Sequence, residues 1–372
     1  MIFESHYSQV KHRSKSSMQT INVGVIGYGY WGPNQVRNFN ELDTVNLVAV
    51  ADQNETQLER VKKRYAHVET VTDYHDLFAM GLDAVAVVTP PATHHAIAMD
   101  CLRNGLHVLI EKPITLSSAD ALDLIRTAEE VGKILMVGHT MEYNPAIREM
   151  KAMIDRGVLG DIHYINTVRV NLGLFQSKAN AIWDLAPHDI SILLYLLGAE
   201  PVSANVDGVS CVTDGHVDLA YISLRFPNNI HGHIEVSWLS PRKIRQVTVV
   251  GKDRMLFHDD VEPVEKIKVF DKGVDGPPPY TETLEQFHWS YRHGDVTIPY
   301  LKWYEPLRRQ CEEFVDCIVT GRTPQTDGFN GLRVVNVLEA IDKSLQNGGA
   351  EQPVEALTLT HSNGRYINGH SS

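Results

Sequence analysis

From Ile21 onward, unbroken apolar runs alternate with stretches whose apolar residues recur every three to four positions. The runs in INVGVIG, VNLVAVAD, VETVTD, DAVAVVTP, LHVLIEKP and KILMVGH predict six strands. They lack apolar–polar alternation, which places them in a parallel sheet covered on both faces. Between them, YGYWGPNQVRNFNEL, ETQLERVKKRYA, YHDLFAM, THHAIAMDCLRNG and SSADALDLIRTAEEVG carry helical periodicity. Strand and helix in that rhythm predict an α/β fold, a doubly wound parallel sheet over residues 21–140.

Beyond residue 140 the pattern changes. NPAIREMKAMIDRGVLG predicts a helix stopped by glycine, DIHYINTVRVNLG a strand, and WDLAPHDISILLYLLG a second helix. PVSANVDGVSCVT, HVDLAYISLRF, NIHGHIEVSWL, RQVTVVG and KIKVFD follow, with turn signals such as PNN and GKD between them. Alternation along these segments predicts an open, mostly antiparallel sheet with helices on one face, an α+β domain over residues 141–349. The helices EPLRRQCEEFVDCIVTG and NGLRVVNVLEAIDKSLQNGG return the chain, and GVDGPPPYTETLEQFHWSYRHGD before them reads as a long, loop-like insertion. Residues 350–372 make a C-terminal segment. Residues 1–20 are polar and mildly basic without the apolar core of a signal peptide; a disordered tail is expected, with Met18 as the true start.

The turn after the first strand, GYGYWG, places Gly27, Gly29 and Gly32 in G-x-G-x-x-G spacing between a strand and a helix. Gly27 permits the tight turn, Gly29 lets backbone approach a pyrophosphate, and Gly32 lets the helix pack close to the strand. The amides of Tyr30 and Trp31 then face the phosphate charge. Asp52 ends the second strand 23 residues after Gly29, where a carboxylate accepts from ribose hydroxyls and repels a 2′-phosphate. NAD is therefore expected in preference to NADP; capping of the next helix by Asp52 is compatible with this. Two further loops leave strand ends on the ligand side of such a sheet: VVTPPATHH, with Thr89, Pro90 and His94, and IEKPIT, with Glu111 and Lys112.

WDLAPHDISILLYLLG, residues 183–198, admits two readings. In one, Asp184 caps a buried helix and Pro187 occupies its first turn, where a missing N–H costs little. In the other, Asp184 and His188 share a helix face four residues apart and form a proton-transfer pair.

GYGYWG, Asp52, TPPATHH and EKP in this order, followed by GHTMEYNPAIREMKAMIDRGVLGDIHYI, WDLAPHDISILLYLLG, SWLSPRKIRQVTVVGKDRM and EPLRRQCEEFVDCIVTGRTP, resemble the Gfo/Idh/MocA (glucose–fructose oxidoreductase / inositol dehydrogenase) family from about Ile21 to Gly349. The resemblance implies a nicotinamide-dependent oxidoreductase acting on sugars, cyclitols or related hydroxy compounds. It implies a site built from the EKP lysine with the aspartate and histidine of the later helix, here Lys112, Asp184 and His188. On that basis His188 is the expected general base and Lys112 the cation that stabilises the alkoxide, with Lys112 as the alternative proton acceptor. Asp184 is expected to orient His188. The expected cofactor-binding set is Gly27, Gly29, Tyr30, Trp31, Gly32, Asp52, Thr89, Pro90, His94, Glu111 and Lys112.

On the substrate side, Tyr143, Arg169, Asn171 and Lys178 are candidates for the pocket. GYWGPNQVRNF and EPLRRQCEEFVDCI are similar to members tied to nucleotide-sugar and polysaccharide synthesis. A diphosphate would need positive charge, for which Arg169, Arg242, Lys243 and Arg245 are candidates; the other reading of the last three is a solvated hairpin edge. Alternatives are an inositol or free-sugar dehydrogenase, and a catalytically silent NAD-binding protein that senses redox state or scaffolds partners. The resemblance also implies that another subunit covers the open sheet, in a homodimer or homotetramer.

Composition narrows this further. A net charge of −12 argues against nucleic acid or an anionic membrane as partner, and no apolar stretch approaches the ~18 residues of a membrane helix. Four cysteines without a CxxC pair suggest neither a disulfide framework nor zinc, and a cytoplasmic enzyme is expected. No metal site is expected, since the pairs His94–His95 and His231–His233 lack further clustered ligands.

Overall fold

The computed structural model describes residues 20–173, 175, 180–212, 214–275, 290–355, 359–362 and 365–368. The expected N-terminal tail through residue 19, Met18 included, and Lys178 lie outside the described residues.

The first sheet is built from β1 (Ile21–Ile26), β2 (Val45–Ala51), β3 (Glu69–Val71), β4 (Ala84–Val87), β5 (His107–Ile110) and β6 (Leu135–Val137). All pairs are parallel, in the order β3-β2-β1-β4-β5-β6. The order reverses beside β1, which opens a crevice at the carboxyl ends of β1 and β4. Helices α1 (Gly32–Asn40), α2 (Glu55–Arg64), α3 (His94–Arg103) and α4 (Ser118–Val131) make the crossovers. YHDLFA is a 3-10 turn over Tyr74–Ala79, started by the Asp73 side chain accepting from the His75 amide.

After α5 (Pro145–Asp155), β7 (Ile162–Val170) enters a second sheet, and α6 (Ala181–Leu197) covers it. β8 (Ser203–Val209), β9 (Leu219–Arg225), β10 (His231–Ser237), β11 (Ile244–Gly251), β12 (Met255–Asp259), β13 (Ile267–Asp275) and β14 (Ser290–Thr297) follow. With β15 (Gln352–Pro353), the sheet runs β14-β13-β12-β11-β7-β10-β9-β8-β15, antiparallel except for β10 against β7. Ile190 and Leu193 of α6 pack with Ile222, Ile234 and Val247 on the covered face. On the other face Tyr164 and Tyr221 stay exposed.

β14 corrects the expected loop-like insertion: part of that segment forms a hairpin with β13, from Val269↔Thr297 to Asp275↔Ser290. Of the returning helices α7 (Pro306–Thr320) and α8 (Gly328–Gln346), α8 contributes to the cores of both sheets. Cys311, Phe314 and Val315 of α7 and Leu332 and Val335 of α8 are buried in the cores of the first sheet. Alternate residues of α8, Val334 and Leu338, belong to the core of the second.

Candidate active site

The glycine turn is forced by contact. Gly27 has φ +101°, and a Cβ there would stand 2.6 Å from the Val88 carbonyl oxygen; at Gly32 it would meet the Gly27 oxygen at 2.3 Å. Gly29 differs, since nothing lies within 4 Å of the space its Cβ would take. Trp31 begins α1 without a side-chain cap; Pro33 has no N–H and the Asn34 amide bonds the Trp31 oxygen at 2.9 Å, so the Gly32 amide is the first-turn donor left for a ligand. This open glycine cradle suits a pyrophosphate. Asp52 accepts from the Tyr28 amide at 2.6 Å and from the Asn54 amide at 2.8 Å, bracing the turn against the end of β2. It does not cap α2; Asn54 does, accepting from the Thr56 amide. Tyr30 projects from the turn, 88% exposed, with Trp31 beside it at 38%.

The TPPATHH loop supplies a strut. His94 is fully buried, its Nδ1 2.8 Å from the Pro113 oxygen and its Nε2 2.8 Å from the Thr89 oxygen. That clasps the two strand-end loops together and corrects the expectation of a cofactor contact from this ring. Thr89 is half-buried and Pro90 exposed at the same loop.

Lys112 leaves β5 through a cis Lys112–Pro113 peptide. Its Nζ donates to the Asp184 main-chain oxygen at 2.7 Å and stands 3.9 Å from Asp184 Oδ1. Burial lowers the lysine pKa from its ordinary value, and the carboxylates of Asp184 and Glu111 oppose that shift. Glu111 accepts from Gln35 Nε2 at 2.9 Å and from the Lys112 amide at 3.3 Å, and Gly138 packs against its carboxylate. Gln35 accepts in turn from Cys311 Sγ at 3.3 Å, so α7 braces the lysine loop through two side chains.

The opening of α6 differs from the sequence reading. Asn180 is the cap, accepting from the Trp183 amide at 2.9 Å, which moves Asp184 into the first turn and Pro187 inside the helix. Asp184 Oδ2 accepts from the Trp238 indole at 3.1 Å. Asp184 therefore does not orient His188, whose Nδ1 is buried without a hydrogen-bond partner. The indole and the ammonium claim the carboxylate instead. His188 is half-buried, and with Nδ1 enclosed its Nε2 is the nitrogen left to meet a substrate. Burial, then the charge of Lys112, hold its pKa well below the ordinary value, so the ring is neutral at pH 7.

Around this pair, Arg169 is 4% exposed and clasped by Asp189, with bonds of 2.5 and 3.2 Å. Its guanidinium is spent on Asp189, which corrects its expected role as a free pocket cation. Asn171 follows β7, half-buried, its amide on the Ser237 oxygen at 3.2 Å. Tyr143 is fully buried, its hydroxyl 3.1 Å from Thr326 Oγ1 and its ring under Arg148, so it is a core residue and not a pocket residue. Sequence reasoning missed Trp238, Asp189, Gln35 and His139. The last is fully buried beside the lysine, with neither ring nitrogen paired, and burial pushes its pKa down to about 3. An aromatic at a strand exit (Trp238) and a histidine closing the last strand (His139) were the available signals. Among the described residues no three His, Cys, Asp or Glu side chains gather as a metal site.

The fold and cleft define a two-domain nicotinamide oxidoreductase. The chain matches the model of the oxidoreductase family with an NAD-binding Rossmann fold over residues 21–139, and that of the GFO/IDH/MocA C-terminal domain over residues 147–257. It belongs to the Gfo/Idh/MocA family. The UDP-N-acetylglucosamine 3-dehydrogenase of Acidithiobacillus ferrooxidans is 28% identical over 85% of this chain and 94% of its own. The myo-inositol 2-dehydrogenase of Thermotoga maritima is 24% identical over 88% and 96%. The solved structure of UDP-N-acetylglucosamine 3-dehydrogenase GnnA from A. ferrooxidans superimposes with a TM-score of 0.72 at 27% identity, covering 88% of this chain and 99% of that one. No described helix is long and apolar enough to cross a membrane.

Proposed function

We propose that this chain catalyses NAD-dependent oxidation, and the reverse reduction, of a secondary alcohol on a sugar or nucleotide-sugar. The observation that carries this reading is the bond from Lys112 of the first domain to the Asp184 carbonyl of α6, one helical turn before His188. It sets the ammonium of the loop after β5 against the helix that carries a neutral imidazole one turn further on.

When bound, NAD supplies the hydride acceptor. Gly27, Gly29 and Gly32, with the Gly32 amide at the start of α1, would hold the pyrophosphate, and Asp52 at the end of β2 would meet the adenosine ribose, which favours NAD over NADP. His188 accepts the hydroxyl proton through Nε2, and Lys112 stabilises the developing alkoxide. Asp184 positions Lys112 by two routes, its carbonyl and its carboxylate. The relatives' substrates support the substrate class: UDP-N-acetylglucosamine and myo-inositol both present rings of secondary alcohols.

The exposed tyrosines on the outer face of the second sheet support a homodimer or homotetramer joined through that face. Free thiols at Cys101, Cys311 and Cys317, all buried, fit the reducing cytoplasm. Mixing NAD-loaded protein with a panel of polyols, hexoses and UDP-sugars tests the activity. Nicotinamide absorbance is expected to rise with at least one; no change across the panel favours a silent NAD-binding protein.

A further inference from the structure

Arg245 of β11 lies directly across from Arg169 of β7. Like charges in such a pair destabilise a sheet unless each is neutralised. Arg169 is neutralised by Asp189. Arg245 is served poorly: its nearest carboxylate is Asp260 at 4.0 Å, and that side chain already accepts from Asn144 Nδ2 at 3.2 Å. The Arg245 Nε is sealed from solvent with no hydrogen-bond partner, while the side chain as a whole keeps 36% of its surface exposed. The guanidinium is short of acceptors within the protein, and its exposed part is open to one from a ligand.

The position of Arg245 indicates what that acceptor belongs to. It lies across from Arg169, whose partner Asp189 follows His188 in α6, and its charge reaches both Lys112 and His188. It therefore stands on the α6 side of the sheet, near the catalytic pair. The loop that precedes it carries Arg242 and Lys243, both exposed, and the Trp238 indole that fixes Asp184. Repulsion from Arg169 lowers the affinity of both Lys112 and Arg245 for their protons. An oxyanion in this place gives the exposed part of the guanidinium an acceptor and relieves that repulsion at once.

We propose that Arg245 recognises an anionic group on the substrate, a carboxylate or a phosphoryl oxygen, so that sugar acids or phosphorylated sugars are selected over neutral sugars and inositols. This rests on the dehydrogenase reading above and narrows its substrate class. Arg242 and Lys243 are placed to meet further charge on a longer ligand such as a nucleoside diphosphate.

Calorimetric titration of the NAD-saturated protein tests this with five ligands: a hexuronate, a hexose phosphate, a UDP-hexose, a neutral hexose and myo-inositol. At least one charged ligand is expected to bind more tightly than the neutral ones. Arg245→Met is expected to weaken that ligand about 10- to 100-fold, and Arg245→Lys less, with NADH affinity retained. A response to the hexuronate alone identifies a carboxylate site; a response to the phosphate-bearing ligands identifies a phosphoryl site. Equal affinity for neutral and charged ligands overturns the proposal, as does equal weakening of both classes by Arg245→Met. Loss of NADH affinity without loss of ligand selectivity also overturns it, by assigning the guanidinium to the cofactor. Nicotinamide absorbance in the same samples separates the two claims. Anion-selective binding without NAD reduction contradicts the dehydrogenase reading and keeps the anion site, whereas reduction driven by neutral sugars alone does the opposite.

Discussion

Lys112 Nζ donates to the Asp184 main-chain oxygen at 2.7 Å and lies 3.9 Å from the carboxylate of the same residue. One aspartate thus holds the lysine by a bond that no side-chain substitution removes and by a charge that one can remove. The charge raises the lysine pKa against the lowering by burial. Asp184→Asn is expected to leave the lysine in place and lower its pKa further. The alkaline limb of the kcat/KM profile, where Lys112 loses its proton, then moves to lower pH; an unmoved limb counts against the pairing.

The glycine turn separates fold from binding. Gly29→Ala has open space for its methyl group and is expected to keep the melting temperature while weakening NADH, because the methyl fills the cradle. Gly27→Ala places a methyl against the Val88 carbonyl at positive φ and is expected to destabilise the protein by more than about 1 kcal/mol. Thermal melts and NADH fluorescence titrations on both variants check the contrast.

Asp189 is paired with a buried guanidinium, so Asp189→Ala leaves Arg169 charged and alone. A loss of about 3–5 kcal/mol in denaturant unfolding is expected. Arg169→Met combined with Asp189→Leu is expected to recover much of that loss, since no unpaired charge remains.

Glu142 gives stability a pH dependence. It is buried, accepts from Asn330 Nδ2 at 3.0 Å and Gln325 Nε2 at 3.3 Å, and burial raises its pKa from 4.5 to about 7. Between those values the folded protein binds more protons than the unfolded chain. This contribution is therefore full below pH 4.5 and is lost as pH rises through about 7. It amounts to no more than about 3 kcal/mol. Glu142→Gln is expected to flatten the slope of melting temperature against pH across that window, whatever its absolute value.

The parallel sheet was legible because both its faces are covered, which leaves apolar runs with little else in them. β14 was not: SYRHGDVT forms an edge hairpin with Tyr291 and Val296 exposed, so it carries no buried face to mark it. In the site, Lys112, Asp184 and His188 could be named from motif resemblance, but not what each one touches. The Asp184–His188 spacing suggested a hydrogen bond that Trp238 pre-empts from a strand end 54 residues beyond Asp184. Arg169 and Asp189 sit on a strand and a helix whose facing is tertiary, so their pairing left no local pattern. Tyr143 looked like a pocket residue from its neighbours in sequence, yet the 3-10 turn at Thr140–Tyr143 rotates it into the core.

Stopped-flow nicotinamide absorbance on NAD-loaded wild type, Lys112→Met and His188→Asn, mixed with a responsive alcohol, tests most directly whether these two side chains flank one reacting carbon. Each variant is expected to lose about a hundred-fold or more in the rate of NAD reduction while still binding NADH. Reduction at the wild-type rate in either variant would contradict the assignment.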